Sequence, residues 1–193
     1  MPILRSFKPF FVNSNLSIGN VRCSDADGLL RNAAGNTGNS YITYSLIKST
    51  VGDLSGISHI PNIYEYDFKN ADRDAEKVKG ECTHVFLILQ DQIRIEESYN
   101  LRLPYEGIIS LLKKCGKPVV VAGLGANSFG GFDPNFHKML NPQLIRFLKE
   151  LSDLCPNIGI RGEFTSEVLK KLGIRNTQII GCPSFFEIGP NRV

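Results

Sequence analysis

From about residue 28 onward the chain repeats one arrangement: a short apolar run, a turn, then an amphipathic stretch. The apolar runs are Gly28–Ala34, Ile57–Tyr66, Thr83–Leu89, Pro118–Leu124, Asn157–Ile160 and Thr177–Gly181. Val85, Phe86, Leu87, Ile88 and Leu89 are apolar at consecutive positions, as are Val119, Val120 and Val121. Unbroken apolarity means that both faces of the strand are covered, which is how parallel strands between helix layers read. Between the runs lie helix signals. Asn141 and Pro142 offer a capping side chain and a proline at the first helical position. Leu144, Ile145, Leu148, Leu151 and Cys155 then recur at helical spacing. A further helix is predicted from about Glu163 to Leu172, with Phe164, Val168, Leu169 and Leu172 inward and Gly173 ending it. Tyr105–Cys115, closed by Gly116, follows the same rule.

Strand–helix alternation at these lengths predicts an α/β domain. Its sheet is doubly wound, mostly parallel and Rossmann-like, with helices on both faces and right-handed crossovers. The domain is expected over residues 28–193, and the mixed, polar residues 1–27 are expected to form an N-terminal arm or edge element. Gln90–Pro104 and Asn127–Pro142 read as long connections, which in compact domains often carry function.

Composition narrows the class. Of 193 residues, 42% are hydrophobic, enough for a core without disulfide or metal staples. The net charge of +3, spread along the chain, does not predict a nucleic-acid or anionic-membrane binder. No apolar stretch approaches the roughly 18–20 residues that span a bilayer, and the first residues lack the build of a secretory signal. Cys23, Cys82, Cys115, Cys155 and Cys182 are widely spaced, and His59, His84 and His137 are not paired with them, so no metal site is expected. Buried thiols in a reducing cytoplasm are the expectation.

In an open parallel sheet, ligands collect at the carboxyl ends of the strands, near the point where strand order reverses. That rule nominates the segments after each run. Gly35, Asn36, Gly38, Asn39 and Ser40 precede a helix predicted over Tyr41–Lys48. Glycines there allow close approach, and free helix-start amides favour an anion or a sugar oxygen. A plain turn capped by Asn39 or Ser40 fits the same residues, and no Walker or GxGxxG pattern is present. After Leu89 come Asp91, a candidate proton acceptor or orienting group, and Arg94; a solvated Asp91–Arg94 contact is the alternative. Gly125 and Asn127 follow the next run, where a substrate needs room or a turn needs small residues. Arg161 presents a planar fork suited to carboxylate or phosphate, unless it serves a surface ion pair, and Glu163 suits the positive end of a helix. His137 is a candidate general acid or base in its loop, whereas His59 and His84 read as packing residues. Cys182 has no local support as a nucleophile.

The Gly35–Ser40 segment, the stretch Ile160–Leu169 and the stretch Ile179–Ser184 together resemble the polysaccharide pyruvyl transferase family, over about Leu29 to Phe186. Members resemble GT-B enzymes, with two Rossmann-like halves facing across a cleft, and this chain resembles the N-terminal half. They transfer the three-carbon unit of phosphoenolpyruvate onto two hydroxyls of a sugar or glycan, giving a cyclic ketal and phosphate. The resemblance implies phosphoenolpyruvate as donor substrate and no further cofactor. It implies that Arg161 helps to bind the donor anion and that Gly35, Asn36, Gly38 and Asn39 line the acceptor side. Many relatives carry an acidic residue at the position of Asn39, so hydrogen bonding rather than proton abstraction is expected there; Asp91 or His137 is the expected proton-transfer group. The chain ends at Val193, where relatives continue into a second α/β half. It is therefore expected to be an N-terminal portion, one copy of a homo-oligomer that completes the cleft, or a short form without catalysis. The rival readings are a non-catalytic sugar- or anion-binding domain and a GT-B-like glycosyltransferase half.

Overall fold

The computed structural model describes residues 7–14, 37–52, 56–95, 104–128, 131 and 133–188. Among them six strands form one all-parallel sheet: β1 (Pro9–Val12), β2 (Ser58–Ile60), β3 (His84–Ile88), β4 (Val119–Leu124), β5 (Ile158–Ile160) and β6 (Thr177–Ile179). Their spatial order is β2-β1-β3-β4-β5-β6. Five α-helices alternate with them: α1 (Thr37–Thr50), α2 (Ala71–Glu81), α3 (Tyr105–Cys115), α4 (Pro142–Leu154) and α5 (Glu163–Lys171).

The order dictates the layering. The chain steps one way from β1 to β2 and the other way in every later crossover. Right-handed connections therefore put α1 on one face and the remaining helices on the other. The apolar contacts divide accordingly. Phe10, Val12, Val85, Leu87, Val119 and Val121 pack with α2, α3, α4 and α5 residues such as Val78, Leu111, Leu148 and Val168. Phe11, Phe86, Ile88 and Ala122 pack with Ile42, Leu46 and Ile47 of α1. This is the doubly wound, Rossmann-like sheet that the unbroken apolar runs predict.

The helix signals hold in detail. Asn141 Oδ1 accepts the Gln143 amide at 2.7 Å, with Pro142 opening α4. Gly116 and Gly173 stand at positive φ, 58° and 86°, where α3 and α5 stop. One expectation changes within residues 1–27. Pro9–Val12 is an interior strand, hydrogen-bonded to β2 on one side and β3 on the other, and buried at all four positions. Phe10, Phe11 and Val12 supply only a short apolar stretch amid polar neighbours, so its periodicity is weak; both flanking strands bury it all the same. The predicted run Gly28–Ala34 lies outside the described residues. Helix α1 begins at Thr37, so Gly38, Asn39 and Ser40 belong to its first turn and not to the loop before it.

Candidate functional site

Because every strand is parallel, their carboxyl ends share one rim. Strand order reverses between β1 and β3. There Asn13, 1% exposed and at φ 62°, donates through Nδ2 to the Ile88 carbonyl at 2.8 Å and ties the exits of β1 and β3 together. Ser14 follows, its Oγ 2.8 Å from His59 Nδ1, and burial lowers the pKa of His59. Polar groups of β1's exit, β2 and β3 thus meet at the reversal point. Among the described residues an opening lies farther along the rim, above β3, β4 and β5.

That opening is a cleft of about 390 Å³ lined by Asp91, Gly125, Ala126, Asn127, Arg161 and the first residues of α5, Glu163 to Thr165. Two exit segments build its floor. The residues after β3 and β4 stay paired past the strands: Ile93 donates to the Gly125 carbonyl at 3.1 Å and Asn127 to the Ile93 carbonyl at 2.9 Å. Ile93 is fully buried beneath them. Thr165 Oγ1, on α5, accepts the Ala126 amide at 2.9 Å and fastens the helix to the β4 exit.

Arg161 enters from the end of β5. Its Nε donates to the Gly123 carbonyl at 2.8 Å, and Nη2 is buried without a hydrogen-bond partner among the described residues. No ion pair joins it among those residues, so the surface salt-bridge alternative does not hold there. Asp91 Oδ2 stands 3.4 Å from Asn127 Nδ2 across the cleft. Glu163 is exposed at the first position of α5, next to the positive helix end. The arrangement offers one forked cation, helix-start amides, two carboxylates and a carboxamide around a small space, groups able to meet an anion and hydroxyl groups beside it.

The structure thus brings Asp91, Gly125, Asn127, Arg161 and Glu163 together. Arg94 is half-buried on the Tyr64 side of the same exit loop, where Tyr64 Oη donates to Gln92 Oε1 at 3.2 Å and burial raises the phenol pKa. Gly38, Asn39 and Ser40 lie on α1 and do not line this cleft; Gly35 and Asn36 lie outside the described residues. His137 sits in the short helical turn Phe136–Lys138, whose Phe136 ring packs on Phe164. It does not line the cleft either, and its Nδ1 is buried without a partner among the described residues. Thr165 and Asn13 escaped sequence reasoning, since a lone Thr inside a helix and a lone Asn after a weak strand carry no pattern. A larger groove of about 810 Å³ separates α3 and α4 on the outer surface. Its charged groups are paired, Lys113 and Arg146 with Glu150, Arg146 with Glu106 and Lys114 with Asp72.

Fold and cleft define a parallel α/β domain with a polar cleft at its carboxyl rim, lined by one guanidinium and two carboxylates. The family model for polysaccharide pyruvyl transferase matches residues 36–191. The chain belongs to that family. No curated protein and no solved structure gave a match.

Proposed function

We propose that this chain supplies the donor side of a pyruvyl transferase site. In this reading the Arg161 cleft takes the anionic groups of phosphoenolpyruvate, and a sugar or glycan provides two hydroxyls. The observation that carries it is the guanidinium, with Nε anchored on Gly123 and Nη2 buried and unpaired among the described residues. An unmet charged donor is costly, and an anionic oxygen satisfies both its charge and its geometry. The reaction balances as follows. One sugar hydroxyl adds to C2 of the enol while C3 gains a proton and becomes a methyl group. The second hydroxyl then displaces phosphate from C2. Of the two hydroxyl protons, one ends in net terms on C3 and the other on phosphate. This reading gives proton acceptance to Asp91 and leaves His137 to the loop behind the cleft. The first turn of α1, with Gly35 and Asn36 before it, is assigned to the acceptor side, and a cytoplasmic setting is part of the same reading.

A donor with a carboxylate and a phosphate calls for several converging cations or amides. Among the described residues Arg161 is the one cationic side chain lining the cleft, so the proposal includes further groups from a following α/β half or a second copy. Phosphate release from phosphoenolpyruvate in the presence of β-galactosides or N-acetylhexosamines tests it. Release that requires both substrates is expected. No release by this chain joined to the second half found in relatives rejects the reading. The same lining, with Asp91 and Glu163 against Arg161 alone, favours a second reading, a non-catalytic binder. Calorimetry separates the two, because a binder shows affinity without product.

A further inference from the structure

Strand β4 carries one residue more than its neighbour can match. Val121 pairs with Ile158 and Leu124 with Ile160, so Ala122 and Gly123 together face the single residue Gly159. The side-chain pattern inverts as a result: Val121 and Leu124, three positions apart, pack on one face, and Ala122 packs on the other. This is a β-bulge, a device that bends a strand and re-aims its groups. Gly123 occupies it at φ 75°, and a Cβ there would lie 2.6 Å from Pro183 Cδ. The consequence falls on two successive carbonyls that now turn toward β5. Leu124 O accepts the Arg161 amide at 2.9 Å, and Gly123 O accepts Arg161 Nε at 2.8 Å. Gly125 completes the arrangement, since a Cβ built on it would lie 3.0 Å from Arg161 Cδ.

We propose that Gly123 and Gly125 are positioning residues for Arg161. The bulge presents a carbonyl that locks Nε, and the absent side chain at Gly125 leaves a track for the stem, so that the Nη edge meets the ligand in one orientation. The functional half of this statement rests on the reading of the cleft as an anion site; the geometric half does not.

Gly125→Ala is the informative variant, because Gly125 does not stand at positive φ and the first atom its methyl meets belongs to a flexible side chain. Two readouts on the full chain are taken together. The first is hydrogen exchange of the Arg161 Nε proton by NMR. Protection of roughly tenfold or more over an exposed arginine is expected in the parent protein, as for other bonded and enclosed N–H groups, and its loss is expected in Gly125→Ala with the fold retained. The second is phosphoenolpyruvate affinity by titration, with a double-mutant cycle against Arg161→Lys. Gly125→Ala is expected to weaken binding in the parent background and to add nothing once Arg161 is replaced. Unprotected exchange in the parent, or full protection in Gly125→Ala, overturns the proposal whatever the ligand. Additive losses overturn it too, since they would make Gly125 a turn residue alone. Protection that Gly125→Ala abolishes, in a chain that binds no phosphoenolpyruvate even when joined to the second half found in relatives, upholds the positioning and rejects the donor reading instead.

Discussion

Arg161 shows how much one side chain's surroundings decide. A forked cation after an apolar run is visible in the sequence; the Gly123 carbonyl that fixes its Nε, and the Nη2 left without a partner among the described residues, are not. Replacing Arg161 by alanine removes a charge-assisted hydrogen bond of about 1.5–3 kcal/mol, so phosphoenolpyruvate affinity should fall roughly 10- to 100-fold while the thermal midpoint stays near the parent value. Titration calorimetry beside a melting curve checks this. His59 offers a pH test. Burial holds its pKa below 6.5, so the folded protein keeps the ring neutral and the unfolded chain takes up the proton first on acidification. The stability tied to this group is complete above about pH 6.5 and is lost as pH falls from there through the folded-state value. Urea midpoints measured downward from about pH 8 should show that decline, and His59→Gln should flatten its share of it. The thiols behave by the same logic. Burial pushes Cys115 up to about 11 and Cys155 up to about 12, whereas Cys182 is half-buried near the surface. Alkylation of the native protein at about pH 8 should therefore mark Cys182 ahead of both, as peptide mapping would read.

At the scale of elements, caps and glycines were the most legible features, because each acts within a few residues of itself. The Asn141 cap on α4 follows from a dipeptide, and Asn141→Ala should cost about 1 kcal/mol in a urea titration. The stops at Gly116 and Gly173 follow from the left-handed conformation that glycine tolerates. Gly159 is different. Its role comes from other segments: a Cβ there would lie 2.6 Å from Ile180 Cδ1 and 2.8 Å from the Val121 carbonyl. A backbone carbonyl cannot move aside as a side chain can, so Gly159→Ala should destabilise by about 1–3 kcal/mol in the same titration. The β-bulge belongs to this second kind. Nothing in the order Val121, Ala122, Gly123, Leu124 announces an extra residue; the pairing with β5 creates it.

For the molecule as a whole, the order β2-β1-β3-β4-β5-β6 makes β1, β3, β4 and β5 interior and leaves β2 and β6 at the edges. Hydrogen exchange should be slowest in β3 and β4 and fastest in β6, whose Gln178 and Ile179 are exposed, and mass spectrometry of peptic fragments would rank them. No helix among the described residues is long and apolar enough to cross a membrane. Periodicity, caps and glycine stops are local, and the sequence alone determined them: the α/β class, the parallel sheet between two helix layers, the positions of α3, α4 and α5, and the rim residues Asp91, Gly125, Asn127 and Arg161. Tertiary structure decided the rest. It drew Pro9–Val12 into the sheet interior, tied the exits of β1 and β3 together through Asn13, set a cleft above β3, β4 and β5, and left His137 and the start of α1 outside that cleft. Those outcomes depend on which segments lie side by side. Contact between residues far apart in the chain is set by the packing of whole layers, and no short run of residues carries that information.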